Sequence, residues 1–212
     1  MTSLLSIRAL LNIELGVASD SDSRPYSLAS RNAAIAAGYA ELARVNVLKP
    51  ATDDIDTVDE AQSYITSVVQ LYDVELLDSS GYGVGHPKAR ITQTASGPTL
   101  FMRLPVSSGY TLRVNGWTPY VSVFADDAAV DDLDSSVPTR VPLLKARSIL
   151  LMGKISEFAN FSGHQAAPAS LNITVSELLG LRATVELEWE REVRAITKGR
   201  DRISQPSFAR PR

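Results

Sequence analysis

The sequence contains no cysteine, and this absence excludes disulfide bonds, thiol catalysis and cysteine-ligated zinc. Its two histidines, His86 and His164, have no carboxylate or second histidine three or four residues further along the chain. The Gly-x-Ser-x-Gly elbow of hydrolases and the His-Glu-x-x-His motif of zinc proteases are also missing. We therefore expect no enzyme activity, no catalytic or metal-binding residues and no cofactor.

Long apolar runs are absent as well. No segment approaches the roughly 20 apolar residues that a membrane-spanning helix needs. The N-terminal stretch lacks the basic start and the small-residue cleavage site of a secretory signal. We therefore expect no membrane partner, and we expect the protein to be made and assembled in the cytoplasm of its cell.

Charge is low in sum but uneven along the chain. The formal net charge is −3, which is too small to indicate a nucleic acid or a membrane as the main partner. Acidic residues concentrate at 53–60 and 126–134, and basic residues concentrate at the C-terminus. This asymmetry is expected where subunits or partners meet through opposite charges.

Four segments have the three-to-four-residue apolar spacing of α-helices. They are residues 3–16, 26–46, 143–162 and 173–198. The third is apolar on more than one face and is expected to be the most buried. The last begins with a capping box, Thr174 and Glu177, and its apolar stripe consists of Leu178, Leu181, Val185, Trp189, Val193 and Ile196.

The middle third is rich in β-branched and aromatic residues, which favour strands. We predict a linker over 46–59, followed by a small antiparallel sheet or sandwich. The Asn115-Gly116 pair predicts a tight hairpin turn, which would leave Trp117 exposed as a possible interface aromatic. The GYGVG run at 81–85 is not followed directly by a helix, so we interpret it as a hairpin loop and not as a phosphate-binding loop.

These elements predict a mainly helical α+β fold, a four-helix bundle with an inserted small antiparallel β module and an extended C-terminal tail. The bundle follows because terminal helices with one apolar stripe must bury it. The expected divisions are an N-terminal helical pair at 1–50, the β module at 60–125, a C-terminal helical pair at 140–198 and the basic tail at 199–212.

Two carboxylate clusters raise the possibility of chemistry. The spacing within 126–134 does not match a calcium-binding loop, so we expect a solvated acidic loop there. Glu186, Glu188, Glu190 and Glu192 share a helix with arginines, and we interpret them as a salt-bridged exposed face.

The C-terminal tail is the strongest candidate for a binding segment. It is basic, contains Pro206 and Pro211 and has little apolar residue content to bury. On charge alone, a protein partner and DNA phosphates are equally compatible with it. The predicted docking residues are Arg194, Lys198, Arg200, Arg202, Ile203, Phe208, Arg210 and Arg212.

Four stretches resemble the head-to-tail adaptor (connector) proteins of tailed bacteriophages. They are RNAAIAAGYAELARV in the second helix, LPVSSGYTLRVNGW in the strand-rich region, VPLLKARSILLMGKISEF in the proline-led helix and LRATVELEWEREVRAIT in the last helix. Together with the opening helix they cover most of the chain.

The resemblance implies a structural subunit of the virion neck. Adaptors of this family form rings, commonly of twelve subunits, beneath the portal protein. They extend the channel for double-stranded DNA without sequence-specific contact and give a stopper or tail-terminator protein a surface to join. A C-terminal segment often reaches the portal, which here would involve residues 190–212.

Three other hypotheses stay open at this point. A tail terminator, stopper or other neck protein is disfavoured by the four predicted helices, because such proteins are expected to be mostly β. A nucleic-acid-binding module would use the basic tail. A small hydrolase or ligand-binding protein has no visible acid–base pair, nucleophile or metal set.

Overall fold

The computed structural model describes residues 2–21, 26–162 and 174–203. The chain divides into two compact units, a helical unit formed by 1–47 and 120–212 and a β unit formed by 48–119. The described residues contain four α-helices and two antiparallel sheets, so the fold is mixed α+β as predicted. The two units are described separately below.

The four helices of the helical unit are α1 Leu4–Leu15, α2 Leu28–Arg44, α3 Arg140–Ser162 and α4 Val175–Ile203. Side-chain caps mark two of the starts. The Ser3 hydroxyl accepts a hydrogen bond from the Ser6 amide, and Ser27 does the same for Ser30. Helix α1 ends at Gly16, whose φ of 67° is the left-handed conformation that glycine tolerates.

Helix α3 packs against each of the other three helices. Its inward side supplies Val141, Leu143, Leu144 and Ala146, all at most 1% exposed. The other helices turn one apolar stripe each into the same core. The shared core includes Leu4, Ile7, Leu11, Ala34, Ile35, Tyr39, Leu42, Leu150, Leu151, Leu178, Val185, Trp189, Val193 and Ile196.

Helices α2 and α3 approach each other closely at Gly38. A Cβ placed on Gly38 would overlap the carbonyl oxygen of Pro142 and lie 3.2 Å from the backbone nitrogen of Ala146. The alanines around Gly38 on α2 are also small. The sequence between 33 and 40 therefore sets how near the two helix axes can lie.

The β unit contains seven strands in two sheets. The strands are β1 Lys49–Asp56, β2 Ser63–Ile65, β3 Gln70–Leu77, β4 Gly83–Gly85, β5 Ala89–Thr94, β6 Gly97–Met102 and β7 Thr111–Thr118. One sheet has the order β1-β7-β3-β4, and the other has the order β2-β6-β5. All strand pairs are antiparallel. Both sheets contribute to one apolar core of Tyr64, Val68, Val74, Leu100, Met102, Leu112 and Val114, so the unit is a small sandwich.

The linker predicted over 46–59 is wrong, because Lys49–Asp56 forms strand β1. It pairs with β7 along its whole length, from Lys49 opposite Thr118 to Asp56 opposite Thr111. Its residues alternate between half-buried and exposed, and the aspartates at 54 and 56 occupy exposed positions. The β unit accordingly begins at residue 48 and ends at 119, whereas the sequence predicted 60–125.

The hairpin turn predicted at Asn115-Gly116 is also wrong, because both residues lie inside strand β7. Gly116 sits opposite a bulge of β3, where the register shifts between Leu71 and Asp73. A Cβ at Gly116 would overlap the Gln70 carbonyl oxygen, so close backbone approach explains the glycine. A hairpin does form where the sequence predicted one near 81–85, but its turn lies at 78–82, and Gly83–Gly85 is strand β4, which pairs with β3.

We predict that Gly38→Ala destabilises the protein by about 1–3 kcal/mol, because the new methyl group overpacks the contact of α2 with α3. Gly153→Ala is the matched control, since it is also helical and a Cβ there meets nothing within 4 Å. The control should be neutral or stabilising by up to about 1 kcal/mol. Thermal and urea unfolding measure both. Equal effects of the two substitutions would contradict the close approach.

Candidate functional site

Helix α4 begins as its sequence predicts. The Glu177 amide donates to the Thr174 hydroxyl at 3.2 Å, and the Glu177 carboxylate accepts from the Thr174 amide at 2.6 Å. Hydrogen bonds from the Thr174 amide and hydroxyl to the Glu177 carboxylate hold the pKa of that carboxyl below its usual range. The capping box is therefore formed, and it fixes the register of the long helix that follows.

One stripe of α4 is buried and the opposite side is open. Leu178, Val185 and Trp189 are in the core as predicted, but Leu181 is 41% exposed. On the open side, Leu187 is 67% exposed. We call this side the α4 surface, and it is a shallow groove lined by Leu187, Glu190, Arg191, Arg194, Ala195 and Lys198.

The α4 surface is cationic towards its C-terminal end. Arg194 donates to Glu190, one turn earlier on the helix, at 3.1 Å. This ion pair adds no net charge to the α4 surface. Arg191 and Lys198 lie in the same groove and are exposed. An exposed leucine beside exposed cations is suited to contact a protein surface that is acidic and partly apolar.

The predicted docking residues fall into three groups. Arg194 and Lys198 lie on the α4 surface. Arg200, Arg202 and Ile203 belong to the end of α4, so the extended tail predicted from residue 199 is wrong over 199–203. The helical period continues there because no proline interrupts the chain before Pro206. Phe208, Arg210 and Arg212 lie outside the described residues.

The glutamates of α4 do not form one exposed array. Glu188 pairs with Arg140 on α3 at 3.1 Å, and both side chains are exposed. Glu186 instead faces α3, where it accepts from Lys145 at 3.1 Å and from Ser148 at 2.5 Å. Burial opposes ionisation of Glu186, but these donors outweigh it and lower its pKa. Lys145 also lies 4.5 Å from the centre of the Trp189 ring, so polar contacts flank the apolar stripe.

Trp117 is not an exposed residue at a hairpin tip. It lies within β7, opposite Pro50 on β1 and Gln70 on β3. Its side chain is half-buried, and its carbonyl oxygen accepts a hydrogen bond from Val69 at 2.8 Å. The role of interface aromatic predicted for Trp117 depended on the turn that does not exist, and we drop it.

His86 contacts a carboxylate that the sequence did not reveal. Its Nδ1 lies 3.0 Å from Asp73 Oδ2, and both side chains are on the surface of the β unit. The β3–β4 hairpin brings the two residues together. Among the described residues there is no group of three or more His, Asp and Glu side chains that could hold a metal ion. His164 lies outside the described residues.

The solvated loop predicted at 126–134 is present only in part, because Asp126 and Asp127 are exposed whereas Asp131 is not. Asp131 is 1% exposed and accepts from the Thr2 amide at 2.6 Å and from the Tyr39 hydroxyl at 3.0 Å. The same segment caps α1, because the Leu4 amide donates to the Ala129 carbonyl. Several other carboxylates of the segment also accept internal hydrogen bonds, among them those of Asp126, Asp132 and Asp134.

Two arginines that the sequence analysis did not single out are buried in the helical unit. Arg8 is 2% exposed and Arg31 is fully buried. Arg8 donates to both oxygens of Asp127, at 2.8 and 3.0 Å, and to Asp20 at 2.6 Å. Arg31 donates to Asn12 at 2.6 Å and to the Asp20 carbonyl at 3.1 Å. We call these residues and their carboxylates the arginine network.

The arginine network keeps its carboxylates ionised. The hydrogen bond from Arg8 holds the pKa of Asp127 below its usual range and does the same for Asp20, where Asn12 adds a second donor. Burial, followed by the nearby Asp131 carboxylate, raises the pKa of the Tyr39 hydroxyl. The network joins α1, α2 and two loops, and its role is structural because the Arg8 guanidinium already donates to Asp20 and to both oxygens of Asp127.

Comparisons with known proteins identify similarity to a solved structure. No protein-family model and no curated protein sequence matches this chain. A solved structure described as "Neck of empty GTA particle computed with C6 symmetry" is similar, with a TM-score of 0.31 and 15% sequence identity. The match covers 82% of this chain and 87% of that one. A TM-score at this level does not establish a shared fold, so the function proposed next rests on this chain's own residues.

No helix among the described residues has the length and apolar content required to cross a bilayer.

We predict that Arg8→Met lowers the free energy of unfolding by about 1–3 kcal/mol at pH 7, because buried hydrogen-bonded ion pairs are lost. Asp20 and Asp127 have folded-state pKa values below the ordinary 3.8. Their contribution is therefore present above that value and lost as the pH falls below it. The difference between wild type and variant should narrow at pH 3.

Arg44→Met is the control for this prediction. Arg44 is 80% exposed and makes one ion pair, with Glu41 on its own helix. Its replacement should change stability by no more than about 0.5 kcal/mol at either pH. Melting temperatures at both pH values measure the effects. A difference between Arg8→Met and wild type that is the same at pH 7 and pH 3 would contradict the arginine network.

Proposed function

We propose that this protein is a structural, non-enzymatic subunit of the neck of a tailed phage or phage-like particle, a head-to-tail adaptor. In this role it forms a ring beneath the portal protein, joins the capsid to a stopper or tail-terminator protein and lets double-stranded DNA pass without sequence-specific contact. Its site of action is the virion neck, after assembly in the host cytoplasm.

The observation that carries this proposal is the shape and chemistry of α4. The helix is 29 residues long and buries only one stripe. Its open side combines exposed Leu187 with Arg191 and Lys198. We propose that α4 uses its buried stripe to pack within the subunit and its open side to bind a partner.

The architecture of the helical unit supports the same role. Three helices packed around α3 provide a stable body, which we propose acts as a four-helix bundle. The stretches that resemble adaptors fall on α2, β7, α3 and α4. A ring requires two different surfaces on each subunit, one meeting the other on the next copy.

The sequence predicted that the acidic cluster at 126–134 would meet a subunit or partner of opposite charge. Carboxylates of this cluster instead accept hydrogen bonds within the subunit. Asp127 and Asp131 are hydrogen-bonded within the subunit, so they are poorly placed to meet a neighbouring subunit. The lumen and the ring contacts must then use other charges. The α4 surface remains the proposed docking surface for the portal, with the chain after Ile203 continuing from it.

We predict that Arg194→Glu/Lys198→Glu reduces joining of the protein to capsids by about tenfold or more, because charge reversal opposes an acidic partner surface. Deletion of residues 200–212 should abolish joining. Particles assembled with each variant in place of the wild type are purified, and the protein is quantified by gel and its ring is visualised by electron microscopy.

The control is Arg44→Glu/Arg140→Glu, which changes the formal charge by the same amount on exposed residues outside the α4 surface. It should join as the wild type does. Circular dichroism and melting temperature verify folding of every variant. If the truncated protein joins capsids as efficiently as the wild type, the docking role of the C-terminal segment is wrong.

DNA binding by the C-terminal segment is the competing function, and the same variants test it. A nucleic-acid-binding module would shift DNA in a gel in a salt-sensitive way, and deletion of residues 200–212 would abolish the shift. The same deletion would leave joining to capsids unimpaired. A protein that never enters particles would contradict the adaptor proposal itself.

A further inference from the structure

The β unit separates its charges along the sequence. The structure describes all of residues 48–119. Every acidic side chain of the unit lies before residue 79, and every cation except one lies after it. The acids are Asp53, Asp54, Asp56, Asp59, Glu60, Asp73, Glu75 and Asp78, and the cations are Lys49, Lys88, Arg90, Arg103 and Arg113.

The fold turns this separation into two faces. The outer face of the β1-β7-β3-β4 sheet carries Asp54 and Asp56 on β1 and Asp73 and Glu75 on β3. Arg113 on β7 lies opposite both Asp54 and Glu75 and donates to Asp54 at 3.0 Å. Four carboxylates and one arginine give this acidic face a negative excess.

The outer face of the β2-β6-β5 sheet is basic. Lys88, Arg90 and Arg103 line a groove of about 480 Å³ that also includes Phe101 and no carboxylate. Arg90 lies directly opposite Phe101, with its guanidinium carbon 5.9 Å from the ring centre. The Arg103 amide donates to the Lys88 carbonyl at 3.0 Å, which holds these two residues side by side.

The three cations of the basic face lie at one end of the β2-β6-β5 sheet. Arg90 is an exposed residue of β5, Lys88 directly precedes β5, and Arg103 directly follows β6. Because β5 and β6 are antiparallel neighbours, these positions are close together.

We propose that the basic face of one copy docks on the acidic face of the next, so that the β unit supplies a contact between neighbouring subunits. The faces belong to opposite sheets of one sandwich, so the contact is heterologous and extends from copy to copy until it closes. This inference rests on the proposed function for its place in the particle and adds to it the interface that holds the ring.

A second copy suits the basic face better than a nucleic acid does. The net charge of the chain is −3, and the acidic face of the same unit would repel a polyanion. A second copy brings matched carboxylates and removes the negative excess of one face and the positive excess of the other. Within the subunit Arg113 stays paired with Asp54, and His86 contacts Asp73, so the contact between copies uses mainly Asp56 and Glu75.

The test uses two charge-reversed full-length variants, Arg90→Glu/Arg103→Glu and Asp56→Lys/Glu75→Lys. The first has two acidic faces and the second has two basic faces, so we expect each alone to self-associate about tenfold or more weakly than wild type. An equimolar mixture pairs acidic with basic faces and should recover association. Sedimentation velocity at low and high salt measures this, with association weakening as salt screens the charges.

Arg44→Glu/Arg140→Glu is again the control, since it changes the formal charge as much as Arg90→Glu/Arg103→Glu but lies outside the β unit. It should associate as the wild type does. Circular dichroism and melting temperature check that each variant folds.

A mixture that stays monomeric, single variants that associate like wild type, or a wild type that is monomeric at all concentrations would each overturn the proposal. Loss of DNA binding in Arg90→Glu/Arg103→Glu without recovery in the mixture would assign the basic face to nucleic acid instead, and would overturn it too. Particle incorporation separates this inference from the adaptor role. If the mixture recovers association but the wild-type protein never enters particles, the interface between copies is supported and the adaptor role is wrong.

Discussion

The packing of three helices on α3 is the constraint on which the helical unit depends. Helices α1, α2 and α4 each have one apolar stripe, and none of them can bury it without a common partner. Helix α3 provides that partner along its length, and Gly38 lets α2 reach it closely. Because these stripes are used inside the unit, the open side of α4 with Leu187 is left to solvent, and this is the basis of its proposed docking role.

Formal charge is a poor guide to the surface of this protein. In the acidic stretch 126–134, carboxylates accept hydrogen bonds from Arg8, Tyr39 and backbone amides, and Asp131 is buried. A carboxylate that already accepts strong hydrogen bonds within the subunit has little to gain from a partner. The acids available for contact are those on the outer sheet face of the β unit, where Arg113 pairs with Asp54 and His86 contacts Asp73.

The parts of the fold that the sequence revealed are those set by local chemistry. The capping box of Thr174 and Glu177 and the apolar stripe through Trp189 predict α4 because both signals lie within a few turns. The sequence does not reveal strand β1, because Pro50 and three aspartates lower its strand propensity and Asp53 occupies a half-buried position of the alternation. The Asn115-Gly116 pair lies within β7 and forms no turn. Glycine is needed at 116 because the Gln70 backbone of the neighbouring strand β3 comes too close for a side chain. Arg8 and Asp127 are 119 residues apart, and no local pattern connects them.

The separation of charge in the β unit explains how a small sandwich could serve as a connector. A strand that pairs in a sheet fixes each outward side chain at a set interval, so charges on a sheet face are held without the entropy cost of ordering a loop. An excess of carboxylates on the outer face of one sheet, with Lys88, Arg90 and Arg103 grouped at the other sheet, gives each copy two unlike faces. Identical faces would favour a closed pair of copies, whereas unlike faces favour a repeating contact, which is the kind of contact a ring needs.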